Sequence, residues 1–300
     1  MEYHEAANFL FDLRRYPSRE GLDATRALCE HLDDPHEDLV CVQVAGSNGK
    51  GSTARMVERT LREAGLDVGL FTSPHLSDLR ERVRIDGRKV TKRAVTEFVE
   101  TSREHVLDAA AAGDCPTFFE ATTALALWAF ARADVDVAVL EVGIGGRYDA
   151  TSVVDPVASA VTSVSLEHTE LLGDSVEEIA RDKAQVAPAD APLVTGADGA
   201  ALGAIREETD VVTVGPDDDD VVAVETGGHS AVESGVSVTG AGWALETRLP
   251  LLGQHQATNA GVAATLARQV ADVDPATVAE GLRAATWPGR FEVVDREPTV

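Results

Sequence analysis

Two short apolar runs, Leu39 to Ala45 and Val135 to Val142, lead straight into glycine-containing turns, and similar runs occupy Val157 to Thr162 and Pro192 to Thr195. Short, predominantly apolar runs of this kind predict strands buried on both faces, as in a parallel sheet. Between them the spacing becomes helical. Ala54, Val57, Leu61 and Ala64 share one face, Val95, Phe98 and Val99 another, and Ala121 to Ala131 reads as a buried helix. Alternating strand and helix predicts an α/β fold, a mainly parallel sheet flanked by helices. From Val221 to Leu249 the texture changes to valine-rich alternation with Gly and Ser punctuation, including Val236, Val238, Trp243 and Leu245. That stretch, 221–249, predicts a small antiparallel β insertion. Helical spacing returns at Ala257 to Val270 and Pro275 to Ala285, then Trp287-Pro288-Gly289 breaks it ahead of Phe291 to Val294, a stretch suited to a linker or strand. The pattern stops at Val300 without a closing element, as expected for a piece of a longer protein.

Composition narrows the function classes. With 44% hydrophobic residues over 300 positions, the chain can build a substantial core. Its 26 Lys+Arg against 51 Asp+Glu give a formal net charge of −25, which argues against non-specific binding to nucleic acid or anionic membranes. Only four basic residues are lysines (Lys50, Lys89, Lys92, Lys183), and acids cluster at Asp217, Asp218, Asp219 and Asp220. This balance fits a salt-adapted cytoplasmic protein or simply an acidic soluble one. Three cysteines, Cys29, Cys41 and Cys115, lack metal-type or redox-type spacing and suit a reducing compartment. Met1 to Arg15 carries acids where a signal peptide needs positive charge, and Ala121 to Ala131, the longest apolar stretch, is too short to span a bilayer.

The sharpest chemical signal is Val42-Gln43-Val44-Ala45-Gly46-Ser47-Asn48-Gly49-Lys50-Gly51-Ser52-Thr53, a strand, a glycine-rich turn and a helix start. Glycines let backbone N–H groups converge on phosphate oxygens, and the helix N-terminus adds partial positive charge. Lys50 can reach the β/γ-phosphates, and the Ser52 hydroxyl can ligate Mg²⁺. The spacing departs from the generic phosphate loop: only Ser47 and Asn48 separate Gly46 from Gly49-Lys50, and Gly51 intervenes before Ser52. The competing reading is a plain strand-to-helix turn.

This variant loop resembles that of the Mur-ligase superfamily, in its folylpolyglutamate synthase/dihydrofolate synthase branch. Further blocks follow in that family's order: Phe71-Thr72-Ser73-Pro74-His75-Leu76 with Glu81-Arg82, Phe118-Phe119-Glu120-Ala121-Thr122-Thr123, and Glu141-Val142-Gly143-Ile144-Gly145-Gly146-Arg147-Tyr148-Asp149-Ala150-Thr151. Then come Glu167-His168-Thr169-Glu170-Leu171-Leu172-Gly173, Ile179-Ala180-Arg181-Asp182-Lys183-Ala184, Gly253-Gln254-His255-Gln256-Ala257-Thr258-Asn259-Ala260 and Trp287-Pro288-Gly289-Arg290-Phe291-Glu292. The resemblance covers nearly the whole chain. It implies a Mur-ligase ATP-binding domain over 1–295, with 296–300 beginning a linker to a C-terminal Rossmann-like domain that is absent or truncated here.

The family joins L-glutamate to dihydropteroate or a reduced folate. ATP phosphorylates the acceptor carboxylate, and the glutamate amine displaces phosphate from the acyl phosphate. By resemblance, Lys50, Lys183 and His168 are catalytic; Gly46, Asn48, Gly49, Lys50, Gly51, Ser52, Thr53, Gln256, Asn259 and Arg290 bind ATP; and Ser52, Glu141 and His168 hold magnesium. Hard Mg²⁺ prefers oxygen, so His168 is the weakest of those three ligands and reads equally as a solvated loop histidine. Lys183 aligns with a lysine that is carbamylated in many Mur-type ligases; the other reading is a surface lysine paired with Asp182 or Glu178. Thr72, Ser73, Pro74, His75, Glu81, Arg82, Phe119 and Glu120 resemble the acceptor-binding segments, although Phe118 and Phe119 also suit core packing and Arg82 a surface ion pair. Gln256, Asn259 and Arg290 read alternatively as helix-surface residues. Ser152 stands where the family usually has Asn, and Glu167 where it has Asp. The resemblance further implies Mg²⁺, K⁺ as an additional cation, a monomer, and possible fusion to another folate-pathway enzyme. The alternatives are a different Mur-type amide ligase or a nucleotide-binding regulatory module without ligation.

Overall fold

A computed structural model describes residues 1–17, 20–230 and 232–289, apart from the side chains of 228–230, and the expectations for Arg290, Phe291 to Val294 and 296–300 lie outside the described residues. The apolar runs form the strands they predict: β1 (Cys41–Ala45), β5 (Val137–Glu141), β6 (Pro156–Val161) and β7 (Leu193–Thr195). Between them lie β2 (Val68–Phe71), β3 (Val83–Ile85) and β4 (Arg88–Lys89), and after them β8 (Val211–Gly215), β9 (Val221–Ser230), β10 (Glu233–Gly240) and β11 (Trp243–Leu249). These strands make one sheet in the order β11-β10-β9-β8-β7-β6-β1-β5-β2-β3-β4.

The neighbouring strands from β8 to β2 run parallel, with β1 between β5 and β6. The antiparallel part is present at 221–249, but it is continuous with the main sheet. Val214 pairs with Val221 and Gly215 with Val222 in parallel register, and β9, β10 and β11 then form a meander. At the opposite edge β3 and β4 add a second antiparallel ribbon that the pattern did not predict, because strands of three and two residues carry no periodic signal.

Among the described residues, ten helices cover the sheet: α1 (Tyr3–Asp12), α2 (Asp23–His31), α3 (Lys50–Glu63), α4 (Lys92–Ala112), α5 (Phe118–Ala133), α6 (Thr169–Leu172), α7 (Val176–Ala184), α8 (Gly199–Glu208), α9 (His255–Val270) and α10 (Pro275–Arg283). Strand alternation divides the core. Val42 and Val44 face α3, α9 and α10, whereas Cys41, Ala138 and Leu140 face α1, α2, α4 and α5; Val161 and Leu193 pack with α7 and α8. No described helix is long and apolar enough to cross a membrane. Gly69 in β2 has its own reason: a Cβ there would lie 2.6 Å from the Phe130 ring, so glycine lets α5 approach the sheet.

The central position of β1 matters for function. The chain leaves β1 toward β2 on one side and later places β6 on the other, which makes a topological switch point. Open α/β sheets bind ligands beyond the strand C-termini at such a point.

Candidate functional site

The turn after β1 is shaped by close approaches. Gly46 has φ 139° and its absent Cβ would collide with Thr162 Oγ1 at 2.0 Å, while Gly49 has φ 89° and would meet Asn259 Oδ1 at 2.5 Å. Both positions therefore require glycine on conformational and steric grounds. The loop after β6 braces the turn. Ser47 N donates to Ser163 O at 2.8 Å, Asn48 N to Ser163 Oγ at 3.1 Å, and Thr162 Oγ1 to Asn48 O at 2.6 Å. Helix α3 starts at Lys50, so its unpaired N–H groups and the positive end of its dipole point into the space above β1.

That space is a cavity of about 420 Å³ lined by the whole turn from Ser47 to Ser52, with Ser73, Pro74, Glu141, Gly143, His255 and Gln256 completing its wall. The Lys50 ammonium donates to Gly46 O at 2.7 Å, which holds it over the turn. Burial, then the nearby Lys183 charge, push the Lys50 pKa down. Ser52 and Glu141 are both buried and contribute hydroxyl and carboxylate oxygens to the same cavity.

Beyond β5, the Gly143–Gly146 turn is organised by buried Asp149, whose Oδ2 accepts from Gly143 N and Ile144 N at 2.9 Å each. Its Oδ1 accepts from Thr151 Oγ1 at 2.6 Å, and burial raises its pKa. Ser152 keeps the turn closed by donating from Oγ to Gly146 O at 2.6 Å, so the departure from asparagine leaves the backbone anchored. Gly146 N in turn donates to Asp182 Oδ1 at 2.8 Å, which docks α7.

Lys183, next on α7, is 1% exposed and donates to Glu167 Oε1 at 2.8 Å. This replaces the surface-lysine reading: the partner is Glu167, not Asp182 or Glu178. Burial alone would raise the Glu167 pKa, but the hydrogen bonds from Lys183 and Ser47, together with the charges of Lys183 and Lys50, pull it down. His168 is exposed, adopts φ 47° at the start of α6, and is absent from the cavity lining. Among the described residues, no three His, Cys, Asp or Glu side chains gather into a metal-type group.

On the far side of the cavity, the loop after β2 is pinned by two acids. Ser73 N donates to Glu141 Oε2 at 2.7 Å. Glu81 accepts from Leu76 N at 2.8 Å, from Ser77 Oγ at 2.9 Å and from Lys89 Nζ at 3.1 Å. Burial opposes ionisation of Glu81, yet these donors prevail and bring its pKa to about 2. Buried Thr72 donates from its N–H to Arg82 O at 2.9 Å, and Arg82 Nε donates to His75 Nδ1 at 2.8 Å. Arg82 is 6% exposed, so the surface ion-pair reading gives way to a buried arginine packed on Phe118. Phe119 presses its ring edge against Gly143, where a Cβ would stand only 2.6 Å from Phe119 Cζ. Glu120 closes a capping box with Thr117 at the start of α5.

The site residues expected from sequence therefore fall into groups. Asn48, Gly49, Lys50, Gly51, Ser52, Ser73, Pro74, Glu141 and Gln256 meet at the cavity. Asn259 sits just behind it, its Nδ2 donating to Gln256 Oε1 at 3.1 Å, and Thr53 is buried in α3 outside the lining. His75, Arg82 and Phe119 form an adjoining wall, whereas Glu81 and Glu120 are committed to holding loops and helix ends. Sequence reasoning missed Ser47, Gly143 and His255 as lining residues, although each stood inside a quoted motif.

Comparison with known proteins agrees with this geometry. The Mur ligase middle domain matches residues 44–267. The probable bifunctional folylpolyglutamate synthase/dihydropteroate synthase of Haloferax volcanii is 60% identical over 306 residues, covering 100% of this chain and 36% of that protein. The dihydrofolate synthase/folylpolyglutamate synthase of Bacillus subtilis is 33% identical over 309 residues, 99% of this chain and 72% of that one. A solved FPGS-AMPPCP-folate complex superimposes with a TM-score of 0.90 at 30% identity, covering 100% of this chain and 75% of its own. The chain spans little more than a third of the two halophile relatives, 36% and 37% of their lengths.

Proposed function

The chain belongs to the Mur ligase family, in its folylpolyglutamate synthase/dihydrofolate synthase branch, and from that membership we propose that the protein joins L-glutamate to the carboxyl group of dihydropteroate or a reduced folate at the expense of ATP. The observation that carries this reading is the shared cavity. The Ser47–Ser52 turn, the Glu141 carboxylate and the Ser73-Pro74 wall of the neighbouring loop face one space.

In this reading the turn's N–H groups, the α3 dipole and Lys50 receive the ATP phosphates. Ser52 and Glu141, a hydroxyl and a carboxylate in one wall, suit the oxygen preference of Mg²⁺ and would hold it, with exposed His168 as an outer participant. Bound there, Mg²⁺ supplies neutralisation of phosphate charge. Lys50 stabilises negative charge that develops on the transferring phosphoryl group, while the Ser73-Pro74 loop and the His75, Arg82 and Phe119 wall orient the acceptor. The acceptor carboxylate oxygen attacks the γ-phosphorus, ADP leaves, and the glutamate amine then attacks the acyl carbon, releasing phosphate and one proton. Gln256 and Asn259, joined by a hydrogen bond, supply amides toward the nucleotide, and Arg290 belongs to the same assignment.

Lys183 has a role beyond packing in this reading. Its amine, once neutral, would add CO₂ and lose a proton to become a carbamate, an anion beside the cavity. The protein acts as a cytoplasmic monomer with K⁺ as its second cation, and residues 1–295 make up the ATP-binding unit of a longer ligase.

The test is acceptor- and glutamate-dependent ADP release by the full-length protein in high-KCl buffer with Mg²⁺, comparing wild type with Lys50→Ala. Turnover with dihydropteroate or tetrahydrofolate, lost in the variant, is the expected result. A folded, ATP-binding protein that turns over neither acceptor refutes the folate assignment in favour of another Mur-type ligase or a regulatory module.

A further inference from the structure

Helix α3 carries Arg55, Arg59 and Arg62, which the helical repeat places on one face. Arg84 of β3 reaches the same surface, where α3 passes the Asp86-Gly87 turn between β3 and β4. Arg84 Nη1 donates to Gly87 O at 3.1 Å, and a Cβ on Gly87 would collide with Arg62 Nη1, so glycine admits both arginines to the turn. None of the four lines the cavity.

Acids outnumber bases 51 to 26 in the chain, yet here the balance reverses. Arg59 has an acid of its own, Glu63 at 2.7 Å. Arg55 and Arg62 share one carboxylate, buried Glu58, and among the described residues no carboxylate pairs with Arg84. Asp86, beside the turn, already accepts from Val68 N at 2.9 Å. Burial first, and then the charges of Arg84, Arg62 and Arg59 against the opposing pull of Glu58, hold the Arg55 pKa below its ordinary value. Three guanidinium groups around one carboxylate leave two positive charges uncompensated in a half-buried place, which is costly unless an anion completes them.

The donors left over point the same way. Arg55 Nε is occupied by Thr286 O at 3.1 Å, and Arg84 Nε is buried with no partner. The Nη2 groups of Arg55, Arg62 and Arg84 donate to no described residue and are not buried, and the Arg55 and Arg62 side chains are 12% and 27% exposed. An ion arriving from solvent can therefore reach them.

We propose that Arg55, Arg62 and Arg84 form a second anion site, separate from the cavity, for a doubly charged oxyanion: phosphate or the phosphoryl end of a metabolite. The Nη2 groups supply the donors, while Glu58 and Gly87 O hold the guanidinium groups in place. An ion there ties α3, which begins at Lys50, to the edge hairpin. This goes beyond the ligase reading and does not depend on it.

The experiment is calorimetric titration of the full-length protein at fixed ionic strength in KCl, with Mg²⁺ and saturating AMPPCP occupying the phosphate loop. Phosphate and glycerol 3-phosphate are added in turn, with KCl of equal ionic strength as the control. Saturable phosphate binding, absent with KCl, is expected. Arg62→Gln and Arg84→Met should each weaken it about tenfold, the worth of a hydrogen bond to a charged group. Arg181→Gln, on α7 and paired with Glu207, should leave it unchanged. Without phosphate, Arg84→Met should unfold at the wild-type temperature or above it, because it removes repulsion, whereas loss of a purely structural arginine would lower that temperature. Binding no greater than with KCl, undiminished binding in both variants, or Arg84→Met unfolding well below wild type overturns the site. Rejection of glycerol 3-phosphate assigns the site to the free ion, and equal binding of both assigns it to phosphoryl groups in general.

Discussion

The backbone N–H of Ser73 donates to Oε2 of Glu141 at 2.7 Å, tying the loop after β2 to the end of β5. The other oxygen of Glu141 would stand 3.1 Å from a Cβ on Gly51, so the same carboxylate is seated against the first turn of α3. One side chain thus touches the elements assigned to acceptor and to phosphate. Glu141→Gln keeps an acceptor oxygen and the volume but removes the charge. Thermal unfolding should change little, while acceptor-dependent ADP release should fall by about 10²–10³-fold, as for loss of one preorganised electrostatic group. Near-normal turnover would remove Glu141 from the catalytic assignment.

Gly49 and Gly65 share nearly the same backbone, φ 89° and 88°, but a Cβ at Gly49 would strike Asn259 whereas one at Gly65 meets nothing within 4 Å. Alanine at Gly65 should cost only the left-handed strain, about 1 kcal/mol. Gly49→Ala adds displacement of the Asn259–Gln256 pair, and should lower the denaturation midpoint further and abolish ATP binding. Equal effects of the two substitutions would mean that the Asn259 contact is easily relieved.

Much of this arrangement was legible because short apolar runs and phosphate-loop chemistry both leave local signals. The strand before Gly46 and the helix after Lys50 formed where their spacing predicted. β2 escaped because Gly69 interrupts its apolar run, and the reason for that glycine, the Phe130 ring, lies about sixty residues away in sequence. The approach of Arg14 and Arg82 to one ring, Phe118, was hidden for the same reason: the turn after α1 and the loop after β2 meet only in three dimensions. Lys183 stood out in its motif, but its burial and its Glu167 partner required the packing of α7. Glu81 and Glu120 show the converse, acids in strong motifs whose hydrogen bonds hold local structure.

The His75 ring should titrate below its ordinary value of 6.5, because burial and then the charges of Arg82 and Arg14 disfavour the imidazolium. Protonation would also destroy the acceptor that Nδ1 presents to Arg82. A histidine with a depressed folded pKa favours the fold above the unfolded pKa, and that contribution is lost as pH falls through the folded value. An NMR titration should therefore place the His75 midpoint below 6.5, with Arg82→Met moving it back up. A midpoint at or above that ordinary value would contradict the cationic surroundings of the ring.

Lys183 and Glu167 make an unequal pair: the lysine side chain is 1% exposed and the glutamate 25%. Removing the lysine leaves a carboxylate that can recover water, whereas neutralising the glutamate strands a buried ammonium. Lys183→Met should therefore be close to neutral in denaturant unfolding, and Glu167→Gln should destabilise by about 3–5 kcal/mol, the range for breaking a buried pair from one side. Turnover should show the opposite order, with Lys183→Met the more damaging, because the proposed carbamate needs that amine. If Glu167→Gln unfolds like wild type, the ammonium has lost its proton or found another partner. Labelled bicarbonate then decides between these, since a carbon resonance from a carbamate on wild type, absent in Lys183→Met, identifies the modified amine.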